Sequence, residues 1–200
     1  MSHWELLKRL ASNWHLSNGK SPYTGFELAT KKKKRARKPR KPSFTVRKAT
    51  LKDLPILVHQ RRAMWRDLGA REQRELDRAD KVYARWARSR MKSGTLMGWV
   101  AENDDKVLGG GCVWLQPVQP RPRYNLMIQP YLLSMYTEPR SRGLGVASGI
   151  VEEALEWCRK NGFSQLRLHA SEMGRKVYLK NGFERTWEMR RRIKKLREDS

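Results

Sequence analysis

The sequence predicts an α/β protein in which a mixed, mostly antiparallel sheet is flanked by helices. Strand-like and helix-like segments follow one another in the order β-α-α-β-β-β-α-β-α-β. A glycine-rich turn at residues 140–147 joins an apolar strand to an amphipathic helix. The composition changes near residue 43, so we expect a basic N-terminal extension, residues 1–42, and a single domain, residues 43–200.

The first elements of the domain are predicted from side-chain periodicity and from residues that begin helices. A strand over residues 44–49 leads to Thr50 and Asp53, whose spacing is typical of a capping box. The helix that follows reaches about residue 68, and a charged second helix covers residues 74–92. The first helix carries Leu54, Ile56, Leu57, Arg61 and Met64.

The middle of the domain is expected to form three strands. Residues 97–102 and 107–115 are predicted to pair as a hairpin, because the Asn-Asp-Asp sequence at residues 103–105 favours a turn. Residues 116–129 are rich in proline and predict a long loop, which an apolar strand over residues 130–137 follows.

The C-terminal part alternates between helix and strand. A helix over residues 145–160 has apolar side chains at helical spacing, and Asn161 and Gly162 are typical of its end. The remaining predicted elements are a short strand at 165–169, a helix at 172–179 and a final strand at 183–193.

Positive charge is the dominant global property of the chain, which holds 44 Lys and Arg against 20 Asp and Glu, a net charge of +24. Residues 1–42 contribute 12 basic and 2 acidic residues, so the domain is basic as well as the extension. A short helix is expected over residues 2–16, and the basic run at residues 31–42 is expected to be extended or disordered. That run suits a nucleic-acid arm, an import-like signal, a ribosome contact or a solvated linker, and charge does not choose among them.

Several classes of protein are disfavoured by the sequence. No apolar run approaches the ~20 residues of a membrane span, and the N-terminus lacks the order of a secretory signal. Cys112 and Cys158 lack metal-type spacing and fall in strand-like and helix-like segments, and the four histidines are scattered. We therefore expect a cytoplasmic protein with reduced core cysteines and no metal.

The turn at residues 140–147 predicts an anion site. The first N–H groups of a helix have no internal partner and carry partial positive charge, which suits a phosphate or pyrophosphate. Gly143 and Gly145 have no Cβ, so a ligand can approach the main chain closely. The glycines at 109–111 differ because they lie inside a strand, where they indicate a bend or a close approach.

With Tyr178 and a following Gly-Phe pair, the turn resembles the GNAT superfamily of acyl-CoA-dependent N-acyltransferases. The resemblance covers most of residues 44–193 and is closest to uncharacterised bacterial members with Tyr-Thr-Glu-Pro, Arg-Gly-x-Gly and Leu-His-Ala-Ser sequences. The matching positions are 135–145, 168–171, Gly174, Arg175, Tyr178, Gly182, Phe183, Glu188 and Met189.

The resemblance implies a GNAT fold, acetyl-CoA as co-substrate and a set of cofactor contacts. A bulge in the strand before the turn would place the pantetheine arm against Met135, Tyr136 and Thr137. The pyrophosphate would lie on main-chain N–H groups of the turn, near two arginine side chains. Ser171 stands where many members have asparagine and would reach less far. The turn residues concerned are Arg140, Arg142, Gly143, Leu144, Gly145, Val146 and Ala147.

The resemblance also implies a general acid. In many members a tyrosine at the position of Tyr178 protonates the departing thiolate, although a plain core tyrosine would fit the same pattern. The amine must lose a proton, and Glu138 and His169 are the candidate bases, each of which could equally be a surface or sheet-end residue. Residues 61–80 and 116–129 would face the acceptor. Acidic residues there that could attract a cationic amine are Asp67, Glu72, Glu75 and Asp77.

Two functions follow as hypotheses. The first is an acetyl-CoA-dependent N-acetyltransferase that acts on a primary amine of a small molecule or a protein. The second is a non-catalytic CoA-binding module that its basic arm recruits to nucleic acid or ribosomes. Expected partners are acetyl-CoA, an amine, non-specific nucleic acid at residues 31–42 and a second copy of the chain in a homodimer.

Overall fold

A computed structural model describes residues 44–104, 106–120, 122 and 126–191. The helix expected at residues 2–16 and the basic run at residues 31–42 lie outside the described residues. None of the described helices is long and apolar enough to cross a bilayer.

The described part alternates strands and helices in an order close to the predicted one. Its strands are β1 (Thr45–Lys48), β2 (Leu96–Asn103), β3 (Lys106–Pro117), β4 (Ile128–Thr137) and β5 (Arg167–Leu168). Its helices are α1 (Leu54–Asp67), α2 (Gln73–Lys92), α3 (Val146–Lys160) and α4 (Glu172–Lys180). Short 3-10 turns cover Leu51–Asp53 and Pro139–Ser141.

The strands form one mixed sheet in the order β1-β2-β3-β4-β5. The first three pairings are antiparallel, and β5 runs parallel to β4. The prediction of a mixed, mostly antiparallel sheet flanked by helices is confirmed. Because β5 is parallel to β4, the chain must cross over between them, and it does so through α3.

The sheet buries both of its faces. Along β2, Met97 and Trp99 pack with α3 residues such as Ile150 in one core cluster. Leu96 and Val100 pack in a second cluster with residues of α1 and α2. Alternate side chains of a strand point to opposite faces, so this pattern defines an α3 face and an α1–α2 face of the sheet.

The entry to α1 has the capping box that the sequence predicts. The main-chain N–H of Thr50 donates to Asp53 Oδ2 at 2.7 Å, and the hydroxyl of Thr50 accepts from the N–H of Lys52. The guanidinium of Arg47 donates to both Asp53 oxygens at 2.9–3.0 Å. The hydrogen bonds from Arg47 are the main cause that lowers the pKa of the buried Asp53 carboxyl to about 2, and those from Thr50 add to it.

We expect Asp53→Asn to destabilise the domain by about 2 kcal/mol at pH 7, because it removes the charge that Arg47 and Thr50 hold. The folded pKa lies below the ordinary value of 3.8, so this stabilisation is complete above about pH 4 and is lost towards pH 2. Urea unfolding at several pH values measures the difference from the unmodified chain, which should shrink as the pH falls through that window.

Glu102→Gln is the matched control, because Glu102 is the other carboxylate of Arg47 and lies at 2.8 Å in a more exposed position. Its loss should cost at most about 1 kcal/mol, as is usual for exposed ion pairs. Equal stability of Asp53→Asn and the unmodified chain at pH 7 would contradict the structural role of Asp53.

One predicted boundary and one predicted strand are wrong. The loop expected over residues 116–129 is shorter, since Gln116 pairs with Gln129 and Pro117 with Ile128 at the ends of β3 and β4. The final strand expected at 183–193 is absent over its described part, residues 183–191. A strand needs a neighbour and a packed face, whereas no strand pairs with this segment, and Trp187 and Met189 are 97% and 94% exposed.

Candidate functional site

The strand before the glycine turn contains a bulge. Leu133 lies opposite Cys112 and Tyr136 opposite Gly110, so Ser134 and Met135 together face a single residue of β3. Ser134 has a φ of 53°, an uncommon left-handed conformation for a residue other than glycine. We call Ser134 and Met135 the β4 bulge. It lies in the strand where the resemblance to the GNAT superfamily implied one.

The glycines of β3 allow β4 to approach closely at the bulge. A Cβ at Gly109 would lie 2.6 Å from the carbonyl oxygen of Tyr136, and a Cβ at Gly111 would collide with Met135 Sδ. The contact at Gly109 is with main chain and leaves no space for a side chain, whereas a side chain at Gly111 would require Met135 to move. The expectation that these glycines mark a close approach is confirmed.

Strands β4 and β5 stop pairing just before the bulge. Their only paired positions are Tyr131 with Arg167 and Leu132 with Leu168, whereas β4 continues to Thr137. From the bulge to Thr137, this edge of β4 faces no strand in the described part of the chain. An unpaired edge offers main-chain N–H and C=O groups to an extended ligand.

The glycine turn, residues 140–147, follows β4 and opens α3. Gly143 and Gly145 have φ values of 81° and 88°, so both adopt the left-handed region that favours glycine. A Cβ at either position would meet nothing within 4 Å. The turn therefore requires glycine for its backbone conformation, while the space above it is open.

The N-terminus of α3 has free hydrogen-bond donors. Gly145 is the N-cap residue and supplies no side-chain cap. No described residue accepts from the N–H groups of Val146, Ala147 or Ser148. These donors and the positive end of the helix dipole point into open space, an arrangement that suits an anion.

The two arginines of the turn differ. Arg140 is exposed. Arg142 donates to the Thr137 carbonyl at 3.2 Å and to Asp67 at 2.5 Å, and its guanidinium lies over the ring of Tyr136. Arg142 thus connects the end of α1 to the turn, and any contact of its side chain with a phosphate would compete with Asp67.

Tyr178 lies on α4, which packs beside the start of α3. Its ring is part of the α3-face cluster and meets Phe183 edge-on at 5.8 Å. Burial raises the pKa of Tyr178 to about 12. Its hydroxyl hydrogen-bonds to no described residue. Three residues later, Asn181 donates to the Ser148 hydroxyl at 3.1 Å and ties α4 to the first turn of α3.

Ser171 has a structural role that was not predicted from the sequence. It is the N-cap of α4, and its hydroxyl accepts from the N–H of Gly174 at 3.1 Å. A Cβ at Gly174 would lie 3.0 Å from the Tyr178 ring, so Ser171, Gly174 and Tyr178 lie close together. The hydroxyl of Ser171 can still donate its own proton to a ligand.

The two candidate bases lie in different surroundings. Glu138 follows β4, where its N–H donates to the Leu108 carbonyl at 2.8 Å, and it borders a groove beside α1 together with His59 and Gln60. The ring of His169 contacts the hydroxyl of Tyr131 through Nδ1. His169 Nε2 lies 2.8 Å from the Glu188 carboxylate.

Most acidic residues expected to attract a cationic amine are already engaged. Asp67 binds Arg142, and Asp77 and Asp80 bind Arg62 at 2.8 and 2.5 Å. Glu72 caps α2 by accepting from the N–H of Arg74. Within the described ranges, no cluster of three His, Cys, Asp or Glu residues could hold a metal ion.

The sequence analysis did not identify one polar group beside the bulge. On α1, Gln60 lies against Gly110 of β3, and Arg61 lies over the ring of Tyr83. Tyr83 reaches from α2 to contact Ser134 and, at 4.0 Å, the Cys112 sulfur. Arg61 is spaced four residues after Leu57 and three before Met64, so it lies on the same side of the helix as these apolar residues. This spacing could have predicted a charged residue on the core-facing side.

Comparison with protein families gives a match over part of the chain. Residues 96–185 match the family model described as an acetyltransferase (GNAT) domain. A comparison with curated protein sequences gives no significant match.

Solved structures with the same fold include several acetyltransferases. A GCN5-related N-acetyltransferase from Ralstonia eutropha JMP134 is 28% identical, with a TM-score of 0.68 over 75% of this chain and 98% of that one. A predicted acetyltransferase from Clostridium acetobutylicum, solved with acetyl-CoA, has the same identity and TM-score over 75% of this chain and 96% of that one.

A ribosomal-protein-alanine N-acetyltransferase from Brucella melitensis biovar Abortus 2308 is 18% identical, with a TM-score of 0.58 over 75% of this chain and 98% of that one, and supports the fold alone. The described sheet and helices have the GNAT fold, and residues 96–185 match the acetyltransferase (GNAT) domain model.

Proposed function

We propose that the protein is an N-acetyltransferase that transfers the acetyl group of acetyl-CoA to a primary amine. The observation that carries the proposal is the glycine turn, whose left-handed Gly143 and Gly145 open α3 with unpartnered N–H groups beside an unpaired edge of β4. A pyrophosphate needs such donors, and a pantetheine arm needs such an edge.

The chain offers contacts along the whole length of the cofactor. The N–H groups from Gly143 to Ala147 would hold the pyrophosphate, with Arg140 free to add charge. Leu144 is exposed above the turn. The edge of β4 from Met135 to Thr137 would bond the pantetheine arm, and Ser171 lies near Tyr178 at the thioester end. The subgroup expected from the sequence, the cytoplasmic location and the homodimer stay predictions.

Acetyl-CoA supplies an activated acyl group, and the chain must manage two protons. A bond forms between the amine nitrogen and the carbonyl carbon, and the carbon–sulfur bond breaks. We assign Tyr178 to donate its phenolic proton to the departing sulfur. Its hydroxyl forms no hydrogen bond within the described part of the chain, and burial keeps it protonated because its pKa is raised to about 12.

We assign Glu138 to accept the proton of the amine, directly or through water. Its carboxylate borders the groove beside α1, on the face of the sheet opposite Tyr178. An acid and a base on opposite faces allow the amine to arrive from one side while the thiol leaves on the other. His169 is the rival candidate, because Tyr131 and Glu188 orient its ring.

Thiol release from acetyl-CoA with a panel of primary amines tests the proposed function. Turnover with at least one amine is the expected result, and Glu138→Gln should lower kcat/KM by about 100-fold, within the usual range for a lost general base. His169→Gln and Glu153→Gln, which alters an exposed carboxylate on α3, should change it less than about threefold.

The reverse pattern, with His169→Gln inactive and Glu138→Gln active, would transfer the role of base to His169. Binding of acetyl-CoA without release of thiol for any amine would contradict the enzymatic proposal. It would instead support a CoA-binding module recruited elsewhere by the basic residues.

A further inference from the structure

Arg61 is a guanidinium that the protein partly buries without an anionic partner. Its Nη1 atom is fully buried and donates to no hydrogen-bond partner among the described residues, and no described carboxylate lies within ion-pair distance. Desolvation lowers the pKa of Arg61, which shows that its surroundings disfavour the charge. A buried cation without a counter-ion is costly, so its presence points to a ligand.

Two aromatic rings flank Arg61. Its Cζ lies 4.5 Å from the ring centre of Tyr83 and 5.6 Å from that of Trp65. Aromatic faces orient a flat guanidinium without using its N–H groups, which remain available to a planar acceptor. Gln60, the preceding residue, is only 1% exposed, and neither its amide nitrogen nor its amide oxygen has a partner among the described residues. Unmatched donors therefore come from a buried amide and from the buried Nη1 of the partly buried Arg61.

These donors lie next to the bulge where the thioester is proposed to sit. The hydroxyl of Tyr83 contacts the side chain of Ser134, and Arg61 packs on the ring of Tyr83. Tyr83 belongs to the α1–α2 face of the sheet, whereas Tyr178 belongs to the α3 face. Arg61 thus lies on the side from which the acceptor would approach.

The N–H groups of Arg61 are not used by the carboxylates around it. Asp67 pairs with Arg142, and Asp77 and Asp80 share Arg62. The charge of Asp80 acts on Arg61 without a hydrogen bond among the described residues, and Glu138 borders the groove beside Gln60. An acceptor that carries an oxyanion would meet the unused donors of Arg61.

We infer that Arg61, with Gln60, binds an oxyanion carried by the acceptor, so that the substrate is an amine bearing a carboxylate or phosphate a few bonds from its nitrogen. This inference rests on the proposed function and names the substrate class of the same site. Arg61 acts in binding and specificity, and the proton transfers belong to other residues.

Matched pairs of amines test the inference. Glycine is compared with glycinamide, and 2-aminoethyl phosphate with ethanolamine, using the full chain and acetyl-CoA. Arg61→Met should lower kcat/KM for the oxyanion-bearing member of the preferred pair by roughly 10- to 100-fold, mainly through KM. The neutral member should change less than about threefold, because it makes no charged hydrogen bond to lose. The carboxylate and phosphate pairs show which oxyanion is used.

Arg66→Met is the matched control, since it removes the same charge from an exposed position on the same helix. It should leave both members of each pair unchanged. Arg61→Lys keeps the charge but lacks the planar guanidinium. Its kcat/KM for the oxyanion-bearing amine should therefore lie between the values for Arg61→Met and Arg66→Met. Arg61→Met should fold with an unchanged or higher melting temperature, because it removes an unpartnered buried donor. If it does not fold, Arg61→Lys gives the same comparison.

Calorimetric binding of the same amines to the CoA-loaded protein separates the two proposals. If no amine is acetylated, the proposed function fails, and loss of oxyanion binding in Arg61→Met still supports the anion site. If amines are acetylated but Arg61→Met affects both members of each pair equally, the inference is overturned and the enzymatic function stands.

Discussion

Tyr178→Phe is expected to lower kcat for acetyl transfer by about 100- to 1,000-fold, the usual contribution of a general acid. The ring is retained, so its edge-on contact with Phe183 and the packing of α4 on α3 persist. Affinity for acetyl-CoA should change less than about threefold, because no cofactor-binding group is removed. Steady-state thiol release and a binding titration measure the two quantities on one preparation.

Tyr131→Phe is the control for the loss of a tyrosine hydroxyl elsewhere in the domain, on β4, and its kcat should change less than about threefold. Burial raises the pKa of Tyr178 to about 12, and the phenol is the neutral acid form. The acid therefore persists through the alkaline range, and kcat should show no descending limb from Tyr178 below pH 10. Unchanged turnover in Tyr178→Phe would remove this residue from the role of acid.

Gly145→Ala is expected to weaken acetyl-CoA binding by about 10-fold or more, because a shift of the turn that costs one charge-assisted hydrogen bond has that effect. An alanine at the φ of 88° costs about 1–2 kcal/mol, which the turn can relieve only by moving its N–H groups. Calorimetric titration of acetyl-CoA into each variant measures the change. Gly143→Ala, at a φ of 81°, should act in the same direction.

Gly94→Ala is the control that distinguishes loss of acetyl-CoA binding from destabilisation by backbone strain. Gly94 has a φ of 71° in the turn between α2 and β2, and a Cβ there would meet nothing within 4 Å. Both variants should lose about 2–8 °C of melting temperature, but only Gly145→Ala should lose affinity. Equal affinities of these two variants would mean that the turn does not bind the cofactor.

Features set by local sequence were predicted well. Thr50 and Asp53 form the capping box that their spacing indicates, and α3 ends at Asn161 followed by a left-handed Gly162. Each signal depends on hydrogen bonds within a few residues, so the sequence alone is sufficient. The pairing of β2 with β3 as a hairpin was predicted for the same reason.

Features that depend on distant partners were not predicted. Gln116 and Pro117 belong to β3 because residues 128 and 129 pair with them. The proline content of this segment had predicted a loop instead. The apolar pattern of residues 183–193 predicted a strand, yet Trp187 meets no neighbouring strand or packed face. Pairing depends on the available sheet edge, which local periodicity does not describe.

The site shows the same division. Gly143 and Gly145 were found from their spacing, because a positive φ restricts the choice of residue. The bulge at Ser134 was expected only through the resemblance to a known family, since a non-glycine residue there gives no signal. The surroundings of Arg61 could not be predicted in this way, because they include the rings of Trp65 and Tyr83, which the packing of α1 against α2 brings together.

The N–H groups of the glycine turn are proposed to hold acetyl-CoA. Hydrogen–deuterium exchange of the full chain, with and without saturating acetyl-CoA, tests this contact at the level of those groups. We expect slower exchange at residues 143–148 and along β4 from Ser134 to Thr137, with little change in α2. Binding of acetyl-CoA with protection elsewhere and none at residues 143–148 would contradict it.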